Sequence, residues 1–239
     1  MAVNLQPTVE RVVNFAWNSF LSEIEAMGGQ ARPKHPSDVF SYGVTDEGYL
    51  VTLAPITLRL KEKAAASECV LFVTVEGCLL FPRNAHRNDM RVVKYQTRAG
   101  YFRVLDGGKL KHVYGVHYDH DDDLPAHPVY HSQMSTMASF VQHVNAAWNA
   151  QYQAIEPDLD LMKGLLRNVR IPTAHMDPFS VLLQIASDHL VSEVSDAQVT
   201  SAYDRLRGAL STFRSSRDGA VRLDAAIDQH CFRSGHWYR

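Results

Sequence analysis

The sequence predicts an α+β fold: an N-terminal helix, an antiparallel β-meander sheet, then a C-terminal helical half. Three observations carry this expectation. Apolar residues recur at three- and four-residue steps before Gly28 and again after Ser135. Between these regions, runs rich in β-branched and aromatic residues are cut by Gly, Asp and Pro. The cuts are short, which suits antiparallel hairpins rather than the long crossovers of a parallel sheet.

The elements follow in order. Val9, Val13, Ala16, Phe20, Ile24 and Met27 predict a helix over 8–27, stopped by Gly28-Gly29. "GGQARPKHPSD" is a loop. "VFSYGV" and "YLVTLAPITLRL" flank the hairpin turn "TDEG", and "CVLFVTVEGCLLF" reads as an apolar pair broken at Glu76-Gly77. "YFRVL" and "KLKHVYGVHYD" flank Asp106-Gly107-Gly108, where two glycines tolerate positive φ. An aspartate-rich turn follows, and "HPVYHSQM" returns, giving about six to eight strands between Val39 and Met134. Beyond it, Met137, Phe140, Val141, Val144 and Trp148 form one apolar stripe. Asp177 reads as an N-cap with Pro178 at the first helical position. "DAQVTSAYDRLRGALSTF" and "DGAVRLDAAIDQHCF" supply two more helices. The chain thus divides into a helix plus sheet with a His-rich hairpin (1–134) and a helical region packed on it (135–239), as two units or one domain.

With 239 residues the chain can bury a sizeable core without disulfide or metal staples. Its net charge of −2 argues against bulk attraction to nucleic acid or an anionic membrane. Cys69, Cys78 and Cys231 are an odd set without CxxC spacing, which gives neither a disulfide framework nor a zinc ribbon. Buried thiols in a reducing compartment are expected. No signal peptide is visible at the start, and no apolar run reaches the ~20 residues of a membrane span. The expectation is a soluble cytoplasmic protein with no membrane partner. Sequences for a phosphate loop (GxxxxGK[ST]), a dinucleotide fingerprint (GxGxxG), a zincin (HExxH) and a nucleophile elbow (GxSxG) are absent, and those chemistries lose their usual support.

One stretch stands out: "VHYDHDDDLPAHPVYHSQM" holds four histidines and four aspartates within residues 116–134. Side chains alternate along a strand, so His117 and Asp119 share one face of the first arm, and His127, His131 and Gln133 one face of the second. An odd-with-odd register gathers them; an odd-with-even register splits them. Gathered, His117, Asp119, His127 and His131 offer two chemistries. Two imidazoles and a carboxylate suit a divalent transition metal. Paired histidines without metal suit acid–base work on a phosphate near neutral pH. Calcium in an EF-hand loop is excluded, because Leu124 stands where glycine is needed and Tyr130 where glutamate is needed. The plain alternative is a solvated acidic turn with histidines on its flanks.

Residues 83–112 carry eight Lys and Arg against Asp89 and Asp106, a local charge of about +6. Arg91, Lys94, Arg98 and Arg103 are candidate phosphate anchors, and Tyr95, Tyr101 and Phe102 are interleaved as candidate stacking groups for unpaired bases. A solvated sheet edge protected by cations is the plain alternative. In the helical half, Asp188 and His189 are adjacent and make no natural dyad. The arginines at 205, 207, 214 and 217 give the last helices a basic side, suited to a protein partner.

The pattern His117-Tyr118-Asp119, then His127-Pro128 and His131, resembles the histidine-rich hairpins of small bacterial proteins such as TumE-like toxins of toxin–antitoxin pairs. The resemblance covers about a tenth of the chain. It implies an accessory or defence-type bacterial protein and nucleic-acid chemistry. The functional expectation is a protein that acts on or binds a phosphate-rich ligand such as RNA; the rival is a non-enzymatic interaction subunit docking through its helical half.

Overall fold

The computed structural model describes residues 6–62, 69–83, 92–120, 130–135, 137–155, 170–172, 176–191 and 196–215. The chain is α+β. Helix α1 (Gln6–Ala26) precedes β1 (Gln30–Arg32), a single helical turn α2 (Pro36–Val39), and strands β2 (Phe40–Val44), β3 (Gly48–Glu62), β4 (Cys69–Pro82), β5 (Lys94–Leu105), β6 (Lys109–His120) and β7 (Tyr130–Ser135). A 3-10 turn (Ala138–Phe140) leads into α3 (Val141–Trp148), followed by β8 (Gln153–Ile155), β9 (Arg170–Pro172), α4 (Pro178–Leu190) and α5 (Ala197–Ser215). The expected helix over 218–232 lies outside the described residues.

All nine strands join one sheet, in the order β1-β3-β4-β5-β6-β7-β9. β2 also pairs with β3, and β8 runs parallel to β6 at Lys109–Lys111. β1 and β2 occupy the same edge of β3, separated by a bulge between Leu53 and Ile56. Pro55 sits in that bulge, where its missing N–H costs no ladder bond.

The local signals hold where they are strongest. α1 ends in a left-handed Gly28 (φ +86°), with Gly29 N–H donating to Ile24 C=O (2.8 Å) and Gly28 N–H to Glu25 C=O (3.0 Å). That is the Schellman arrangement, which satisfies two carbonyls a helix end leaves open. Gly107 and Gly108 both have positive φ and turn β5 into β6. Glu76-Gly77, by contrast, does not break the apolar run: β4 passes straight through it. Gly77 is there for close approach, since a Cβ would lie 2.2 Å from the Gln96 carbonyl oxygen and 3.1 Å from Pro178 Cγ.

The two sheet faces are covered differently. On the inner face, α1, α4 and α5 pack over Leu58, Val73, Val75, Ala99 and Val116 in one continuous core. Its centre is aromatic: Trp17 stacks on Phe20 (5.5 Å) and meets Phe40 edge-on (5.9 Å), and Phe40 lies 6.0 Å from Phe179. Each such burial is worth about 1.5–3 kcal/mol. Trp17 also donates from Nε1 to the Lys34 carbonyl (2.9 Å), tying α1 to the following loop. Glu23 and Arg205 form a two-pronged ion pair between α1 and α5 (2.8 and 2.9 Å). The outer face carries a smaller core of Phe72, Phe102, Leu110, Met137, Phe140 and Val144, capped by α3. His112 is wholly buried there, its Nε2 accepting the Met137 N–H (3.3 Å).

Asp177 starts α4 as expected, fully buried, its carboxylate accepting from Phe179 N–H (3.0 Å), Ser180 N–H (3.4 Å) and Ser180 Oγ–H (2.7 Å). Asp177→Ala is expected to cost about 2 kcal/mol, the upper range for an N-cap, with Asp177→Asn losing less. Urea denaturation checks this: the midpoint falls for Ala and falls less for Asn.

Candidate functional site

Strand alternation decides what faces outward. Thr97 Oγ donates to the Met176 carbonyl (3.0 Å), and the Met176 N–H donates to Tyr95 Oη (2.9 Å), so these positions face α4. Gly100 faces the other way: a Cβ there would meet Met137 Cβ at 2.8 Å. Lys94, Gln96 and Arg98 therefore stand on the outer face, beside the half that α3 does not cap.

The register across β4 to β9 then lines up two polar rows. In the first, Glu76 opposes Arg98, Arg98 opposes His117, His117 opposes Gln133, and Gln133 opposes Arg170. In the second, Cys78 opposes Gln96, Gln96 opposes Asp119, and Asp119 opposes His131. The hairpin thus pairs odd with odd positions. Arg98 and Glu76 form an ion pair, with the arginine half exposed and the carboxylate nearly covered. His117 Nε2 lies 3.6 Å from Asp119 Oδ2, both less than a quarter exposed. That distance is beyond a hydrogen bond but is strong Coulomb range for a protonated ring. At the end of the second row an open groove of about 590 Å³ runs between Glu47, Leu50, Cys78, Lys94, Gln96 and Asp119. Lys94 pairs across it with Glu47 (3.2 Å). Burial pushes the Cys78 thiol up, against the lowering effects of a hydrogen bond to the Gln96 backbone and the Arg98 charge. Such a thiol is a poor nucleophile.

The structure thus brings together His117, Asp119, Lys94 and Arg98, and sets His131 at the register position beside Asp119. His127 and Arg91 lie outside the described residues, as does the aspartate tip. Arg103 is not part of the group: it opposes Leu71, a residue of the inner core. The interleaved aromatics are not available for stacking, because Tyr95, Tyr101 and Phe102 are all buried. Among the described residues no three His, Cys, Asp or Glu side chains gather closely enough to hold a metal. His117 and Asp119 supply two donors of opposite type, and a third would have to come from His127 or His131. Glu76 and Gln96 complete the rows, yet nothing local marks them. Only the register reveals them, because cross-strand neighbours are far apart in sequence. Of the basic side expected in the last helices, Arg205 is engaged with Glu23 and Arg207 with Asp204.

No family model matches the chain, and no curated protein or solved structure matches it.

The reverse side of β6 is aromatic. Tyr101 and Tyr114 stack at 4.3 Å, and Tyr118 packs against the inner core. Burial pushes the Tyr118 hydroxyl up to about 12, helped by the charge of Asp188, and holds Tyr101 further above the usual tyrosine range. A raised acid contributes stability that is intact below the unfolded tyrosine value of ~10 and is lost as pH rises through the folded value. Cooperative unfolding is therefore expected between about pH 10 and 12. Tyrosinate absorbance recorded beside circular dichroism checks it: a late absorbance step should coincide with unfolding, and Tyr118→Phe should shrink that step.

Proposed function

We propose that this chain binds, and acts on, a phosphate-rich ligand such as RNA on the uncapped half of its outer sheet face. The observation that carries the reading is the cross-strand pair Arg98–His117 with Asp119 beside it. A guanidinium gives two parallel donors to a phosphate, and an imidazole one strand away gives a proton donor or acceptor to the same group. Asp119 lies close enough to His117 to stabilise positive charge on the ring when a proton is passed to it. Glu76 is the resident partner of Arg98. The guanidinium is half exposed, so an incoming phosphate can reach it and compete with the carboxylate. Lys94 extends the anchor toward the groove. His127 and His131 belong to the same proposal, as further proton-transfer groups or as ligands to a divalent transition metal.

The buried aromatics narrow the mode of recognition. With Tyr95, Tyr101 and Phe102 in the cores, base stacking by these rings is removed, and contact with the phosphate backbone remains. Such binding depends on salt and is tolerant of sequence. The resemblance to TumE-like toxins agrees with RNA as the substrate class.

Fluorescence anisotropy of a labelled single-stranded RNA oligonucleotide tests the main reading. Arg98→Ala is expected to weaken binding by about tenfold, the loss of one charge-assisted contact. Glu76→Gln is expected to tighten it by removing the competitor, and His117→Ala to abolish turnover while the fold persists. Binding unaffected by all three changes would count against the proposal.

A further inference from the structure

A different part of the outer face, where β1, β3 and the end of α3 meet, gathers cations around one indole. The guanidinium carbon of Arg32 lies 4.5 Å from the centroid of the Trp148 ring, and that of Arg59 lies 5.9 Å from the same ring. The β1–β3 register explains the meeting: Arg32 opposes Thr57 and Gln30 opposes Arg59, so the two arginines are diagonal neighbours on one face. Trp148 is the last residue of α3, and its ring is held against Phe72 (5.8 Å).

Arg32 has a structural task. Its Nη1 donates to the Ala147 carbonyl (3.2 Å), one of the acceptors the helix end leaves open, and its charge suits the negative end of the helix. Arg59 has no such task. Among the described residues it makes no hydrogen bond and no ion pair, and Arg32 likewise has no carboxylate partner. Lys34 is nearby but already neutralised by Glu25. Two like charges drawn onto one ring repel each other, and the ring alone repays only part of that cost.

Beside them opens a groove of about 550 Å³ walled by Arg32, Lys34, Pro55, His143 and Ala147, with no acidic side chain on its lining. Pro55 comes from the β3 bulge, and His143 comes from α3 with its ring edge-on to Phe140 (5.8 Å). We infer that the Arg32–Arg59 pair at Trp148 is a second anion site, separate from the His117 face, which takes a dianionic phosphate group between the two guanidiniums, beside the groove that Arg32 lines. The two guanidinium charges, which have no counter-ion among the described residues, match one phosphate dianion. Arginine is also the side chain suited to two-pronged contact with phosphate oxygens. The site uses none of Lys94, Arg98 or His117, and so it stands or falls independently of the proposed function.

Equilibrium dialysis of the full chain with inorganic phosphate, at constant ionic strength set with chloride, tests the inference. It is run on an Arg98→Gln/His117→Gln background, so that the other face does not contribute. Saturable binding of one phosphate per chain is expected, weakened about tenfold or more by Arg59→Gln. Arg59→Gln should leave circular dichroism unchanged and the melting temperature nearly so, because its contact with the Trp148 ring is long. Arg32→Lys, which keeps the charge and loses the fork, should weaken binding less than Arg59→Gln. Absence of saturable binding, or equal binding by Arg59→Gln and its parent, would overturn the site.

Discussion

The central constraint on this molecule is that a broad antiparallel sheet has two faces, and its described helices are unequally divided between them. α1, α4 and α5 meet over the inner face, where Trp17, Phe20, Phe40 and Phe179 form a continuous aromatic seam. α3 alone, eight residues long, covers part of the outer face through Phe72, Phe102 and Phe140. The outer side chains of β4 to β7 beyond α3 are mainly polar, with Leu80 beside Lys94 as an apolar member. That asymmetry fixes the functional layout, because a sheet whose strands are buried on one side displays every second residue on the other. The regular ladder from Glu76 through Arg98 and His117 to Gln133 follows from this alternation.

The same ladder sets the energetics of the site. The exposed Glu47–Lys94 pair contributes little to stability, whereas Glu76–Arg98 joins a half-exposed guanidinium to a nearly covered carboxylate. The less exposed members, Glu76, His117 and Asp119, are in lower dielectric, where each charge is felt more strongly by its neighbours. Carboxylates in the rows compete with any anion that arrives. On the proposed reading such competition would give discrimination, because a phosphate must displace a resident carboxylate, which a weakly charged ligand cannot do.

Much of the fold was legible because its signals are local. The α1 stop needs only the glycine pair, the β5–β6 turn needs only Asp106-Gly107-Gly108, and the α4 start needs only Asp177-Pro178. The failures are equally specific. Glu76-Gly77 resembles a turn in sequence, but the glycine answers to the Gln96 backbone and to Pro178, neither of which is a sequence neighbour. Tyr95, Tyr101 and Phe102 look like a stacking surface among cations, yet strand alternation sends Tyr95 and Tyr101 into the inner core and Phe102 into the outer one. Arg103 follows the same logic to the inner face. In the hairpin His117 and Asp119 were identifiable as donors and Arg98 as an anchor, whereas Glu76 and Gln96, and the placing of Arg98 beside His117, depend on long-range register. The Arg32–Trp148–Arg59 cluster unites residues from three elements and leaves no trace in any single stretch.

The most direct measurement of the account is amide chemical-shift mapping of the isotopically labelled chain as a short single-stranded RNA is added. The account predicts shifts concentrated at Glu76, Cys78, Gln96, Arg98, His117, Asp119 and Gln133, with α1, α4 and α5 silent. Shifts concentrated on the helical layer, or none at all at low salt, would contradict it.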